Sequence, residues 1–300
     1  MLYSIALSLL LGFELSYYLL IVQTGIVSHL NSDISSLIFI FLGGVFGTYF
    51  AGQRWIVLSK PIEKIIFALT IQLILSFFYP NYNMATLVLL GVSVGLMAPL
   101  SIYIYSEKQL KELLIALAIA YSVGTYYFTS GEDIRFILAV VFSAVALLSS
   151  LIIRNYEMSI KSDTHAFIYY AIFILWVFLD TNLFETLSRH LCLDIWTNYT
   201  LVIILFHLIG LISAYFIQLD DKKVHIFIAI LFFSTYLVSY LKLALLVSML
   251  YPFTVSYYNV LIFTALSKEM SLKKLALIML FVGWIASGLG FLTALSGILS

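Results

Sequence analysis

Residues 8–25 read SLLLGFELSYYLLIVQTG, an apolar run long enough to lie within a bilayer that nevertheless has Glu14 near its middle. A charged acid at the centre of a membrane helix costs about 2.5–3.5 kcal/mol on insertion scales. Two interpretations of Glu14 follow. It is either a proton- or cation-coupling acid that faces a polar cavity, or a protonated hydrogen-bond partner across a helix interface.

The composition of the whole chain indicates the same environment. Of its 300 residues 63% are hydrophobic and 10% are charged, and the mean hydropathy is +1.10. Because a soluble domain carries roughly a quarter charged residues, we predict an all-α polytopic membrane protein of the cell membrane. The 15 basic and 15 acidic residues balance, which gives no electrostatic case for a nucleic acid partner. The single cysteine, Cys192, excludes an internal disulfide framework and a cysteine-based metal site.

Eleven apolar segments are candidates for transmembrane helices, at about 20 residues per span. They lie at 2–27, 34–52, 62–79, 84–105, 112–130, 136–153, 165–187, 197–218, 224–241, 243–266 and 273–298. These runs lack the sustained two-residue alternation of a membrane barrel. The first lacks the basic start of a secretory signal, so we expect it to be a retained helix.

Basic residues are distributed unequally between alternate loops. Twelve fall on one side of the predicted membrane and three, Arg135, Arg189 and Lys242, on the other. Since cytoplasmic loops carry the excess of Lys and Arg, we predict a cytoplasmic N-terminus and, with eleven spans, a C-terminus outside.

A weak internal repeat is found when the chain is slid against itself by 166 residues. This offset aligns Glu14 with Asp180, and a glycine and a Tyr-Phe pair further along each half also coincide. The predicted orientation makes the two copies parallel. We therefore expect two pseudo-repeats, a six-helix bundle at 1–154 and a five-helix bundle at 155–300.

Two stretches resemble known membrane proteins. FLGGVFGTYFAGQRW (41–55) is similar to the place where major facilitator proteins carry a glycine-rich loop motif between helices two and three, although that motif's acidic residue and second basic cluster are missing. GFELSYYLL (12–20), followed by Gly43, Gly47 and Thr48, more closely resembles the membrane regions of some bacterial spermidine synthases. The synthase domain itself has no counterpart, so aminopropyl transfer is not implied.

The resemblance to major facilitators implies two helical bundles that rock about a central binding site. A complete major facilitator has twelve helices and a long middle loop. This chain departs from it with eleven predicted helices and the short middle loop RNYEMSIKSDTH (154–165).

Six residues are the candidates for substrate binding or coupling. They are Glu14, Asp180, Asn182, Tyr257, Tyr258 and Asn259. Asp180 is the partner of Glu14 in the repeat, and Asn182 lies two residues further on, about 200° around the helix. The Tyr-Tyr-Asn group interrupts the middle of the tenth span just after Pro252. Its alternative role is in contacts between helices.

For other polar and small residues the sequence predicts structural roles rather than substrate binding. Glu185 and Arg189 are spaced i to i+4 and are expected to pair near the outer surface. Gly43, Gly44 and Gly47 are expected to allow close helix packing. The histidines do not assemble into a haem or metal site, so no metal or other cofactor is expected. They are His29, His165, His190, His207 and His225.

The leading hypothesis is a secondary transporter or permease for a small cationic or neutral solute, with proton coupling as one form of it. Two intramembrane acids without a fully buried Lys or Arg favour such a solute over an anion. The alternative is a non-transporting membrane scaffold or partner subunit that binds another protein. An integral membrane enzyme is a third reading, for which Asp220-Asp221 is the sole candidate motif, and we do not expect one.

Overall fold

The structure is a computed structural model that describes residues 1–30, 34–55, 58–105, 109–154, 170–189, 193–217, 220–268 and 270–296. The predictions for His165, His190, Cys192 and residues 155–165 of the middle loop lie outside these ranges. Within the described ranges all regular secondary structure is helical, as the composition predicts.

The long helices follow one another with short connections. α1 spans Leu2–Ile26, and its C-terminal part, Tyr18–Ile26, is wound as a π-helix. The next helices are α2 (Leu37–Ala51), α3 (Pro61–Ser76), α4 (Met84–Ile104), α5 (Leu110–Tyr126), α6 (Glu132–Ile153), α7 (Ala171–Arg189), α8 (Thr200–Phe216), α9 (Asp221–Tyr240) and α10 (Ala244–Ser267). The last, α11 (Leu272–Ser296), contains a second π-helical stretch at Leu280–Ile285.

Seven helices among the described residues are long and apolar enough to cross a membrane: α1, α4, α6, α7, α9, α10 and α11. The other four have 15 to 17 residues. At 1.5 Å per residue they rise only about 22–26 Å, less than the ~30 Å hydrocarbon core. The architecture fits a multi-pass helical membrane protein, and the figure of eleven spans stays a prediction.

Large apolar side chains cover the outward faces of the helices. On α6, Ile137, Val141 and Leu148 are each at least 44% exposed, whereas Ala139 and Ser143 on the opposite face are buried. This helix exposes an apolar face, whereas a helix on the surface of a water-soluble protein exposes a polar face. These faces are therefore suited to contact with lipid.

The helices pair in a similar way in the two halves of the chain. In the first half α1 packs against α5, and α4 packs against both α2 and α3. In the second half α7 packs against α11, and α10 packs against both α8 and α9. The first half also contains α6, which contacts α1 and α3.

The contact between α2 and α4 depends on glycine. A Cβ atom at Gly43 or Gly47 would overlap the backbone of α4, and one at Gly91 or Gly95 would overlap the backbone of α2. The Thr48 hydroxyl donates to the Gly95 carbonyl at 2.9 Å across the same contact. The prediction that glycines in this segment allow close helix packing is confirmed.

The two halves meet along several helix pairs, of which α5 with α8 and α2 with α11 are the most extensive; α11 also contacts α4, and α10 contacts α4 and α5. Between α2 and α11, Trp284 places its ring where Gly44 has no side chain. The Trp284 indole Nε1 donates to the Thr48 hydroxyl at 2.8 Å. Gly44 therefore makes room for an aromatic residue of the opposite half.

A tight turn separates α9 from α10. Lys242 has φ 56°, in the left-handed region, and α10 begins two residues later at Ala244. The predicted separation of the segments 224–241 and 243–266 is confirmed.

Candidate functional site

A cavity of about 290 Å³ lies between the two halves. From the first half α1, α4 and α5 line it, and from the second half α7, α8, α10 and α11 do so. Its wall is mostly apolar, and Glu14 and Asp180 both belong to it. The structure thus brings together the two acids that the 166-residue offset aligns.

Glu14 is almost completely buried, with 5% of its surface exposed. Its Oε2 accepts a hydrogen bond of 2.9 Å from Nε2 of Gln72, a fully buried residue of α3. The other amide atom, Gln72 Oε1, has no hydrogen-bond partner among the described residues. One amide from a neighbouring helix is therefore what holds the acid in its apolar surroundings.

Asp180 is held differently. It is partly exposed, and its two carboxylate oxygens accept hydrogen bonds from two phenols of α10. The Tyr251 hydroxyl donates to Oδ1 at 3.4 Å, and the Tyr258 hydroxyl donates to Oδ2 in a short hydrogen bond. The two tyrosines are seven residues apart, about two turns of α10, so both phenols reach the carboxylate from the same face of that helix.

Asn259 forms a contact between the halves. Its Nδ2 donates to the Tyr121 hydroxyl of α5 at 2.7 Å. The Tyr121 ring stacks on the His207 ring of α8, with centroids 4.3 Å apart and planes at 9°. His207 Nδ1 lies 2.7 Å from the Ser256 hydroxyl. Tyr121, His207 and Asn259 all line the cavity, so this polar group belongs to the candidate site.

Of the six predicted residues, Glu14, Asp180, Tyr258 and Asn259 line the cavity, whereas Asn182 and Tyr257 do not. Asn182 faces α9 and α11. It accepts from the Tyr236 hydroxyl at 2.9 Å, and its Nδ2 donates to the Thr293 hydroxyl at 2.9 Å. The reason is helix geometry: two residues from Asp180 turn Asn182 about 200° away from it.

Tyr257 is turned away from the cavity in the same manner. It is fully buried, and its ring packs against Phe227 and Phe253. One residue along a helix rotates the side chain by about 100°, so Tyr258 meets Asp180 and its neighbour does not. The contacts of both Asn182 and Tyr257 are those between helices.

The predicted pair of Glu185 and Arg189 is confirmed. The Arg189 Nε donates to Glu185 Oε2 at 3.3 Å. The pair is less superficial than expected, because only 6% of the Glu185 side chain is exposed. Glu185 lies outside the cavity lining.

Among the described residues two basic side chains are buried, so the expectation of no fully buried Lys or Arg is wrong. Lys64 lies within α3, and its Nζ donates to the Ala51 and Gln53 carbonyls at 2.9 and 2.6 Å. The carbonyls at the C-terminal end of α2 carry partial negative charge, which a cation stabilises. Lys64 lies inside α3, as it does inside the predicted segment 62–79, but its burial there was not expected.

Arg135 is the second buried cation, and it lies in the first turn of α6 rather than in a loop. Its Nη1 donates to the Leu20 carbonyl at 2.8 Å and to the Thr24 hydroxyl at 2.9 Å, both in the π-helical part of α1. Neither buried cation lines the cavity, which leaves the two acids there unopposed.

Aromatic rings of both halves meet beside the site. Phe128, which follows α5, stacks on Trp196, with centroids 4.3 Å apart and planes at 20°. The Trp196 ring also contacts the rings of Phe184 and Tyr251 edge-on. All four line the cavity, so part of its wall is an aromatic cluster shared between the halves.

The remaining polar motifs are the histidines and the acidic pair Asp220-Asp221. Among the described residues no group of three His, Cys, Asp or Glu side chains is placed to hold a metal ion. Asp220 of the acidic pair is exposed and bonds to Lys223 Nζ at 2.9 Å, an ordinary surface contact.

Sequence reasoning missed Gln72, Tyr121, His207 and Tyr251. Gln72 offered a signal, since a glutamine within an apolar span costs free energy unless it finds a polar partner. The others were single residues within or at the ends of apolar segments, and no spacing joined them. No protein family model matches the chain, and no curated protein matches it.

Proposed function

We propose that this chain is a secondary transporter that moves a small cationic or neutral solute by alternating access of the cavity between its two halves. Glu14 and Asp180 bind or couple, and Tyr258 and Asn259 orient the solute. The observation that carries the proposal is that one cavity between the halves contains both intramembrane acids. Intramembrane acids that line a cavity mark ion and substrate pathways.

Eleven spans in a major facilitator-like arrangement belong to the same proposal. Its support is that the helices of the two halves pack in the same pattern. The contacts of α1 with α5, α2 with α4 and α3 with α4 correspond to those of α7 with α11, α8 with α10 and α9 with α10. Secondary transporters built from repeats place the substrate at the interface between them. In this proposal the N-terminus is cytoplasmic and the C-terminus is outside.

Preference for a cation or a neutral solute is supported by the charges of the site. No Lys or Arg of the described residues lines the cavity, whereas two acids do. The two buried cations are satisfied by carbonyl and hydroxyl oxygens elsewhere. An anion in this cavity would meet carboxylates without a compensating positive charge.

The proposal is tested with the purified chain in proteoliposomes under an inward proton gradient. Uptake of labelled ethanolamine, choline, erythritol and lactate compares cationic, neutral and anionic solutes. We expect uptake of a cationic or neutral solute, about tenfold or more slower in Asp180→Asn, because about 1.4 kcal/mol of binding is lost. In Glu14→Gln uptake loses its dependence on the proton gradient.

The control variant is Asp133→Asn, which neutralises an exposed acid at the start of α6. It should transport as the unsubstituted chain does. Unchanged uptake and unchanged response to the gradient in both acid variants would remove the coupling role of the acids.

The scaffold alternative is favoured by one observation, the inequality of the halves. α6 covers α1 and α3 in the first half, and no described helix covers α7 and α9 in the corresponding way. Under this alternative a partner protein binds there and the cavity carries no solute. No uptake of any solute, together with stoichiometric co-purification of one partner, would favour it.

A further inference from the structure

The two acids of the cavity differ in how much of their binding capacity is free. A carboxylate has about four lone-pair positions. Asp180 uses one on each oxygen for a phenol and is still partly exposed on the cavity wall. Glu14 is nearly enclosed and shares its position with a buried amide. Of the two, Asp180 is the group that a ligand meets.

The phenols around Asp180 add acceptors to this group. Tyr251 and Tyr258 each direct their single O–H toward the carboxylate, so each phenol oxygen keeps only lone pairs for another partner. A ligand that approaches here therefore meets acceptors on three residues. A primary ammonium is the complementary group, because it has three N–H donors and no acceptor.

The surroundings suit an organic body attached to that ammonium. Phe184 lies one turn from Asp180 on α7, and Tyr18 and Tyr121 also line the cavity. Aromatic faces attract cations and cover apolar groups. At about 30 Å³ for each water-sized group, the volume of about 290 Å³ corresponds to on the order of ten non-hydrogen atoms.

We infer that Asp180, Tyr251 and Tyr258 form the subsite for the protonated primary amino group of a small organic amine, whose apolar part lies among the aromatic residues of the cavity. The inference rests on the proposed function and deepens it, since it names the substrate class. It also separates the acids. Asp180 binds the substrate, whereas Glu14, held by Gln72, contributes little to its affinity.

The test is equilibrium binding to the purified full-length chain in nanodiscs, measured by calorimetry. Three probes contain the same 2-phenylethyl group: phenethylamine, its N,N,N-trimethyl derivative and 2-phenylethanol. Phenethylamine should bind saturably. The other two probes should bind at least about tenfold more weakly, since they lack the charged N–H donors. Equal binding of the three probes, or no saturable binding of phenethylamine, would overturn the inference.

Variants assign the subsite to its residues. Asp180→Asn should weaken phenethylamine binding about tenfold or more, and Tyr258→Phe about threefold to fivefold. Glu185→Gln is the matched control, because this acid lies on the same helix outside the cavity and its amide still accepts from Arg189. It should bind as the unsubstituted chain does. If Asp180→Asn is poorly folded by thermal unfolding, Tyr258→Phe provides the decision, and unchanged affinity there contradicts the subsite.

Two further outcomes distinguish failure of the amine subsite from failure of the proposed transport function. Saturable amine binding without uptake in proteoliposomes would remove the transporter and leave the subsite. Uptake of a neutral solute without amine binding would remove the subsite and leave the transporter.

Discussion

The Glu14 and Asp180 positions share one cavity, but neighbouring helices hold the two acids by different means. Among the described residues Glu14 has one hydrogen-bond partner, the Gln72 amide of α3, and its side chain is almost inaccessible. Asp180 has two hydroxyl partners from α10 and remains partly open. A single buried partner makes Glu14 dependent on Gln72, whereas two partners make Asp180 tolerant of losing one. The comparison predicts unequal responses to substitution.

The largest effect is expected for Gln72→Leu. The change removes the Gln72 amide that donates a hydrogen bond to the buried Glu14 carboxyl group. We expect this loss to lower the free energy of unfolding by about 1–3 kcal/mol. Unfolding of the purified chain by heat or denaturant measures it.

Gln23→Leu is the control for this substitution. Gln23 is a partly exposed glutamine of the cavity wall, and its loss should cost far less. Equal destabilisation by the two changes would break the comparison, because the support of Glu14 would then lie elsewhere.

A smaller effect is expected for Tyr258→Phe. It removes the short hydrogen bond to Asp180 while the ring and its packing against Phe232 remain. Because the acid keeps its second phenol, we expect a loss of about 1 kcal/mol in unfolding free energy.

Tyr257→Phe is the neighbouring control, since that hydroxyl makes only a 3.4 Å contact with the Ile217 carbonyl. It should leave amine binding unchanged. If Tyr257→Phe impaired binding as much as Tyr258→Phe did, the assignment of one face of α10 to the cavity would be wrong.

The smallest effect is expected for Tyr251→Phe. Its hydrogen bond to Asp180 is 3.4 Å long, beyond the usual range for a hydroxyl donor. We expect a change below about 0.5 kcal/mol in unfolding free energy. A loss larger than that of Tyr258→Phe would reverse the order of the two phenols, and a double-mutant cycle with Asp180→Asn would locate the coupling.

The sequence predicted the helical class, because long apolar runs without a two-residue alternation favour helices. An acid in an apolar span is expected to face something polar, and Glu14 and Asp180 both line the cavity. It predicted less where the rotation about a helix decides. Asn182 and Tyr257 were grouped with their neighbours along the chain, but their side chains lie on other faces.

The partners of the acids were out of reach for a different reason. Gln72 lies 58 residues from Glu14, and nothing in a single sequence joins them. Arg135 was assigned to a loop because a charge usually ends an apolar run, and Lys64 was not expected to be buried. In the folded chain, main-chain carbonyls satisfy both cations within the helices.

The hydroxyl of Thr48 has a consequence for how the halves are joined. It has one proton, which it gives to the Gly95 carbonyl, and it offers a lone pair to the Trp284 indole. One oxygen atom of α2 is thereby hydrogen-bonded to both α4 and α11. Replacing Thr48 with the nearly isosteric valine would remove both hydrogen bonds together, and with them the polar link between α11 and the contact of α2 with α4.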